Sequence, residues 1–98
     1  MKTVQFKRWN CAIKKEMYKN GVTALVLYDV NDGEEVFTAT VSLPEYQLQE
    51  AKDDITFIKN WSENEGILEC LVENEIVENL QIQVPTGFVM AHMVKVLI

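Results

Sequence analysis

Lys14-Lys15-Glu16-Met17-Tyr18-Lys19-Asn20-Gly21-Val22-Thr23-Ala24-Leu25-Val26-Leu27-Tyr28 is the stretch whose reading decides the fold class. From Cys11 the side chains alternate, with Cys11, Ile13, Lys15 and Met17 on one face and Ala12, Lys14, Glu16 and Tyr18 on the other. That is the period of a strand, not of a helix. Asn20-Gly21 then predicts a two-residue type I′ hairpin, because both central positions of that turn need positive φ. The return strand, Val22 to Val30, carries apolar residues on both faces, the mark of a central strand covered on both sides.

Working outward, Asn31-Asp32-Gly33-Glu34 is a second hairpin signal and Glu35 to Leu43 its return strand. Phe37, Ala39, Val41 and Leu43 share one face, and Pro44 ends the pairing because it has no N–H to give a ladder. Thr3 to Arg8 supplies an edge strand before the meander. Glu45 to Asp54 reads as a polar surface excursion, and Ile55, Phe57 and Trp61 as a short strand.

Ser62-Glu63-Asn64-Glu65 predicts a helix start, with Ser62 as N-cap and Glu65 as its capping-box partner, together worth about 1 kcal/mol. Ile67, Leu68, Leu71 and Val72 follow at helical spacing, so the helix is expected over 63–73. Ile76-Val77 leads to the Pro85-Thr86-Gly87 turn, and Phe88 to Ile98 is a strongly apolar last strand. The expected fold class is α+β in one domain, 1–98. It comprises an antiparallel meander of about five to seven strands with one amphipathic helix packed on one face. Val26, Phe37, Val41, Phe57, Leu68, Leu71 and Val94 are the expected core.

Composition agrees. The chain has 98 residues, 48% of them hydrophobic and 24% charged, so it can bury one core and is neither disordered nor fibrous. No apolar run is long enough for a membrane helix, and the charged pair Lys7-Arg8 breaks any signal-peptide core. Cys11 and Cys70 stand far apart, outside any C-x-x-C spacing, and read as buried thiols, although a single disulfide is open on arithmetic. A cytoplasmic location without membrane contact is the expectation.

The excluded chemistry is wide. His92 is the only histidine, set among Met90, Met93, Val94 and Val96, and reads as a structural residue. Two cysteines and one histidine fall short of a zinc set, and 31–35 lacks a calcium-loop pattern. Neither metal nor cofactor is expected. The four glycines form no phosphate loop, and Gly66 reads as a point of close packing. Lys7-Arg8-Trp9 with Lys14 and Lys15 mixes cations and aromatics as single-strand binders do, yet a pI near 4.7 opposes direct nucleic-acid binding.

Charge is segregated. Residues 1–28 hold six basic side chains and one acid, whereas 29–78 hold fourteen acids and two lysines. Glu65, Glu69 and Glu73 repeat at i, i+4 and i+8, with no lysine on the predicted helix to relieve their repulsion. Asp53 and Asp54 precede them in the loop. Two explanations compete: a solvated face that keeps the domain soluble, or a surface shaped for a basic protein partner, with carboxylates in place of phosphates.

Trp61-Ser62-Glu63-Asn64-Glu65-Gly66-Ile67-Leu68 resembles a family of small domains of unknown function from phages, plasmids and integrated elements of gut bacteria. The resemblance extends to Trp9-Asn10-Cys11, the Asn20-Gly21-x-Thr23-Ala24-Leu25 hairpin, Ser42-Leu43-Pro44, Ile76-Val77 and Pro85-Thr86-Gly87-Phe88. It carries no catalytic residues across. What it implies is context, since small acidic proteins of such elements are often accessory or anti-defence factors. The expectation is therefore an inhibitor of a nucleic-acid-handling host enzyme, of anti-CRISPR or anti-restriction type, its partner being a Cas nuclease or another defence enzyme. The alternative is a small accessory module or enzyme with a Cys70/His92 pocket, and the exposure of those two residues discriminates.

Overall fold

The computed structural model describes residues 2–19, 21–43 and 54–98. Met1, Asn20 and residues 44–53 lie outside them, and with them Pro44, Asp53 and nearly all of the expected surface excursion. Among the described residues, seven strands and one α-helix follow in the order β1 (Thr3–Phe6), β2 (Trp9–Met17), β3 (Thr23–Asp29), β4 (Glu35–Thr38), β5 (Ile55–Ile58), a 3₁₀ turn (Ser62–Asn64), α1 (Ile67–Glu73), β6 (Val77–Thr86) and β7 (Val89–Val96). All pairings are antiparallel. The fold is α+β, with a single α-helix among the described residues, as the alternation and the apolar stripe predict.

The strands fall into two sheets, β1-β2-β3-β4 and β5-β7-β6. The segment that follows β4 pairs with both. Phe37 lies opposite Leu27, and Ala39 donates its N–H to Leu25 O, after which the same stretch turns to β5. There Thr40 bridges Ile58, Val41 donates to Phe57 O, and Lys59 donates to Ala39 O. The expected single return strand 35–43 is thus shared between sheets. Its apolar face is shared too: Phe37 and Ala39 enter the main core, whereas Leu43 and half-buried Val41 pack in a second, smaller cluster with Phe57, Val84 and Ala91. Val41 is the one expected core residue that is not fully buried.

The main core takes side chains from every strand and from α1: Val4, Phe6, Cys11, Ile13, Leu25, Leu27, Ile58, Leu68, Leu71, Val77 and Val94 among them. Phe6 meets Phe37 edge-on at 5.0 Å, and Trp9 meets the same ring at 6.5 Å, a geometry that suits the ring quadrupoles. Helix α1 packs against both β1 and β6, the outermost strands of their sheets. β2 runs past this core: Met17, expected on its apolar face, is 74% exposed.

The first hairpin differs from the expected two-residue turn. Tyr18 N–H donates to Val22 O and Gly21 N–H to Tyr18 O, so three residues close the loop, with Gly21 at φ 86°. That is the three-residue hairpin in which a left-handed residue forms a bulge. In the second, Asp29 Oδ1 accepts the Asn31 N–H and Asp32 Oδ1 the Glu34 N–H, so these two acids serve the turn itself.

Candidate functional site

The segment 59–73, in which the sequence places most of its acidic candidates, is built differently from a capping box. Ser62 stands at φ 55° and caps nothing with its side chain. The helix opens at Ile67, four residues later than expected, behind Gly66 at φ 93°. Its free N-terminal amides are met from further back: Asn60 Oδ1 accepts from Gly66 N (3.1 Å) and from Leu68 N (3.0 Å). A Cβ on Gly66 would meet only Phe6 Cε1, at 3.8 Å, an ordinary contact. The glycine is therefore required by its left-handed backbone and not by close packing, which corrects the sequence reading.

Around this turn, Lys7 Nζ donates to Glu63 O (2.7 Å) and Lys59 Nζ pairs with Glu63 Oε1 at 3.0 Å. The Lys59 hydrogen bond holds the Glu63 carboxyl below the usual carboxylate range. Asn64 is 1% exposed and donates Nδ2 to Thr38 O (2.7 Å), tying the turn to the end of β4. Its Oδ1 has no hydrogen-bond partner among the described residues.

The candidate acids divide. Glu65, Glu69 and Glu73 are all exposed and form no ion pair among the described residues. Glu69 and Glu73 share one side of α1, whereas Glu65 precedes Gly66 and the helix, so the expected i, i+4, i+8 stripe is not one continuous helical row. Asp54 is already engaged, ion-paired to Lys15 and accepting the Thr23 hydroxyl. Asp53 lies outside the described residues. The segment also presents a hollow of about 240 Å³ that sequence reasoning did not find, lined by Leu68, Glu69, Val72 and Glu73 of α1 and Asn79 of β6. Its sequence signal is Val72, an apolar residue beside the acids that α1 leaves 38% exposed.

The nucleophile candidates lie on different elements. Cys70 is half-buried on α1, its thiol donating to Gln5 O at 3.4 Å, and burial followed by the charge of Glu73 raises its pKa. His92 is half-buried on β7, opposite Ile58 and Gln83. Neither is free of the fold, and no hydrogen bond joins them among the described residues. Cys11 is buried, and burial, then Asp29 and Cys70, raises its thiol pKa. Both cysteines are free thiols. No group of three or more His, Cys, Asp or Glu side chains among the described residues is arranged to hold a metal.

The basic, aromatic N-terminal residues are turned to one another. Arg8 lies over the Trp9 ring at 5.3 Å, Lys7 over Phe6 at 5.2 Å and Lys14 over Tyr28 at 5.6 Å. Trp9 packs against the main core. No helix among the described residues is long and apolar enough to cross a membrane. A scan against protein-family models and searches of curated proteins and of solved structures found no match.

Proposed function

We propose that this chain is a small acidic binding protein that inhibits a nucleic-acid-handling host enzyme, of anti-CRISPR or anti-restriction type, by covering that enzyme's basic surface. One observation carries the reading: Glu65, Glu69 and Glu73 are exposed at one segment with no ion-pair partner among the described residues. Helix α1 contains no basic residue, so the repulsion between Glu69 and Glu73 is unrelieved within it. A concentrated negative potential of this kind favours encounter with a positively charged partner and supplies specificity against acidic ones. Protein recognition through such a face needs no metal or cofactor.

The decisive experiment is an inhibition and binding assay against a candidate defence nuclease with Glu65, Glu69 and Glu73 all reversed to lysine. Wild-type affinity should fall as salt rises, since exposed charges are screened over roughly 8–10 Å at physiological ionic strength. The reversed protein should keep its fold and lose inhibition. Full inhibition by the folded triple variant overturns the proposal.

A further inference from the structure

Independently of that reading, we infer that the far end of the β6-β7 hairpin is a contact between two copies of this chain. Residues 81–94 contain no Asp, Glu, Lys or Arg, in a chain that is 24% charged and carries a net −6. The apolar side chains there are uncovered: Phe88 is fully exposed, Met90 43% and Ile82 47%. The fold does not ask for an aromatic at this place. Thr86 pairs with Val89, so Gly87 and Phe88 alone make the turn, and of the two only Gly87 takes a positive φ, 62°. That is the type II′ pattern, which needs the glycine and leaves the second position open to polar residues. The hairpin is nonetheless a firm base, since Val84 and Ala91 are buried with Leu43 and Phe57. Pro85 lies opposite Met90, one position on from the buried Val84–Ala91 pair, so these two share the other face.

Two observations select a second copy as the occupant. The patch is self-complementary, because it holds both a projecting ring and an apolar, sulfur-bearing surface that suits one. About a two-fold axis, each Phe88 covers the other copy's Met90 and Pro85 and its own pair is covered in return. Charge agrees. Two copies repel through their acidic surfaces, and the hairpin end is where they approach without bringing like charges together. Strand-to-strand addition at the edge is not the route, since Pro85 stands on β6, the outermost strand, and has no N–H to offer. A hairpin end is smaller than the roughly 800 Å² per partner that a stable complex buries, so the dimer is a weak one that dilution reverses.

The test is sedimentation equilibrium of the intact chain from low micromolar to near-millimolar concentration, at low and at high salt. The mean mass should rise toward that of a dimer with concentration. Salt should strengthen the association by screening the net charge, the opposite of its effect on binding to a basic partner. Phe88→Ser and Met90→Gln should each weaken the dimer about tenfold or more, as for residues at the centre of a contact. Both side chains are exposed, so both variants should keep the fold, which amide spectra check. In a mixture of labelled and unlabelled chains, nuclear Overhauser effects should join the Phe88 ring of one copy to the Met90 methyl of the other. A chain that stays monomeric at both salts, or a dimer indifferent to Phe88→Ser, overturns the inference. Phe88-dependent binding of a monomer to phosphatidylcholine vesicles overturns it as well, by assigning the tip to a lipid surface.

Discussion

Asn60 and Leu68 are joined by a 3.0 Å hydrogen bond from the Leu68 backbone N–H to the Asn60 side-chain oxygen, which caps α1 across the whole 3₁₀ turn. The same oxygen accepts from Gly66, so a single carboxamide satisfies two amides at the start of a seven-residue helix.

Removing that oxygen should be costly. Asn60→Ala is expected to lower stability by about 0.5–2 kcal/mol, the range for loss of a helix cap. Asn60→Asp retains the acceptor and should lose less. Ser62→Ala should stay within about 0.5 kcal/mol of wild type, because its side chain caps nothing. Urea unfolding of the three variants checks the assignment, and a larger loss for Ser62→Ala than for Asn60→Ala would reverse it.

Leu71 is fully buried in the main core, on the face of α1 turned to the sheets. Leu71→Ala should cost about 2–5 kcal/mol, the range for a leucine removed from a packed interior. Denaturant midpoints measure it. A cost under about 0.5 kcal/mol would mean that the helix does not bury this face.

Lys59 and Glu63 give a pH-dependent term. The folded pKa of Glu63 lies below its unfolded value, so the stabilisation is present above the unfolded value and is lost as pH falls through the folded one. Carboxyl titration of Glu63 should show the depressed midpoint, and Lys59→Met should bring it back up. An unchanged midpoint in Lys59→Met would assign the depression to something other than the ion pair.

Cys11 and Cys70 should both react slowly with alkylating reagents at neutral pH. Each thiol pKa is raised, burial being the main cause, so the thiolate is scarce, and Cys11 is in addition inaccessible. Time-resolved alkylation followed by mass spectrometry should show Cys70 modified before Cys11. Modification of either at the rate of a free thiol at neutral pH would reopen nucleophilic chemistry.

The antiparallel fold was legible because its causes are local. Alternation from Cys11 and the turn residues at Gly21 and Gly33 act within a few positions, and Val26, Phe37 and Leu71 are buried as their periodicity requires. What escaped detection was non-local. Nothing near Thr40 marks the point where the strand leaves β3 for β5, since both pairings use extended backbone. The Asn60 cap escaped because Ser62 and Glu65 mimic a capping box, whereas the left-handed Ser62 and Gly66 set the helix start further on. The hollow needs Asn79 from β6 beside α1, a juxtaposition that only the tertiary fold supplies. The acidic candidates were half legible: Glu69 and Glu73 lie on α1 as read, but Asp54 is spent on Lys15, a residue 39 positions away in sequence.

The position of α1 between β1 and β6 also has a kinetic meaning. The contact from the Cys70 thiol to Gln5 O spans 65 residues, whereas the hairpins β1-β2, β2-β3 and β6-β7 join neighbours in sequence. Short loops close early and long ones late, so the contact of α1 with β1 is expected to close after the hairpins. Interactions completed after the transition state govern how fast a protein opens more than how fast it folds. A partner seated on α1 would therefore act chiefly as a brake on unfolding, lengthening the life of the folded chain while leaving its rate of formation nearly untouched.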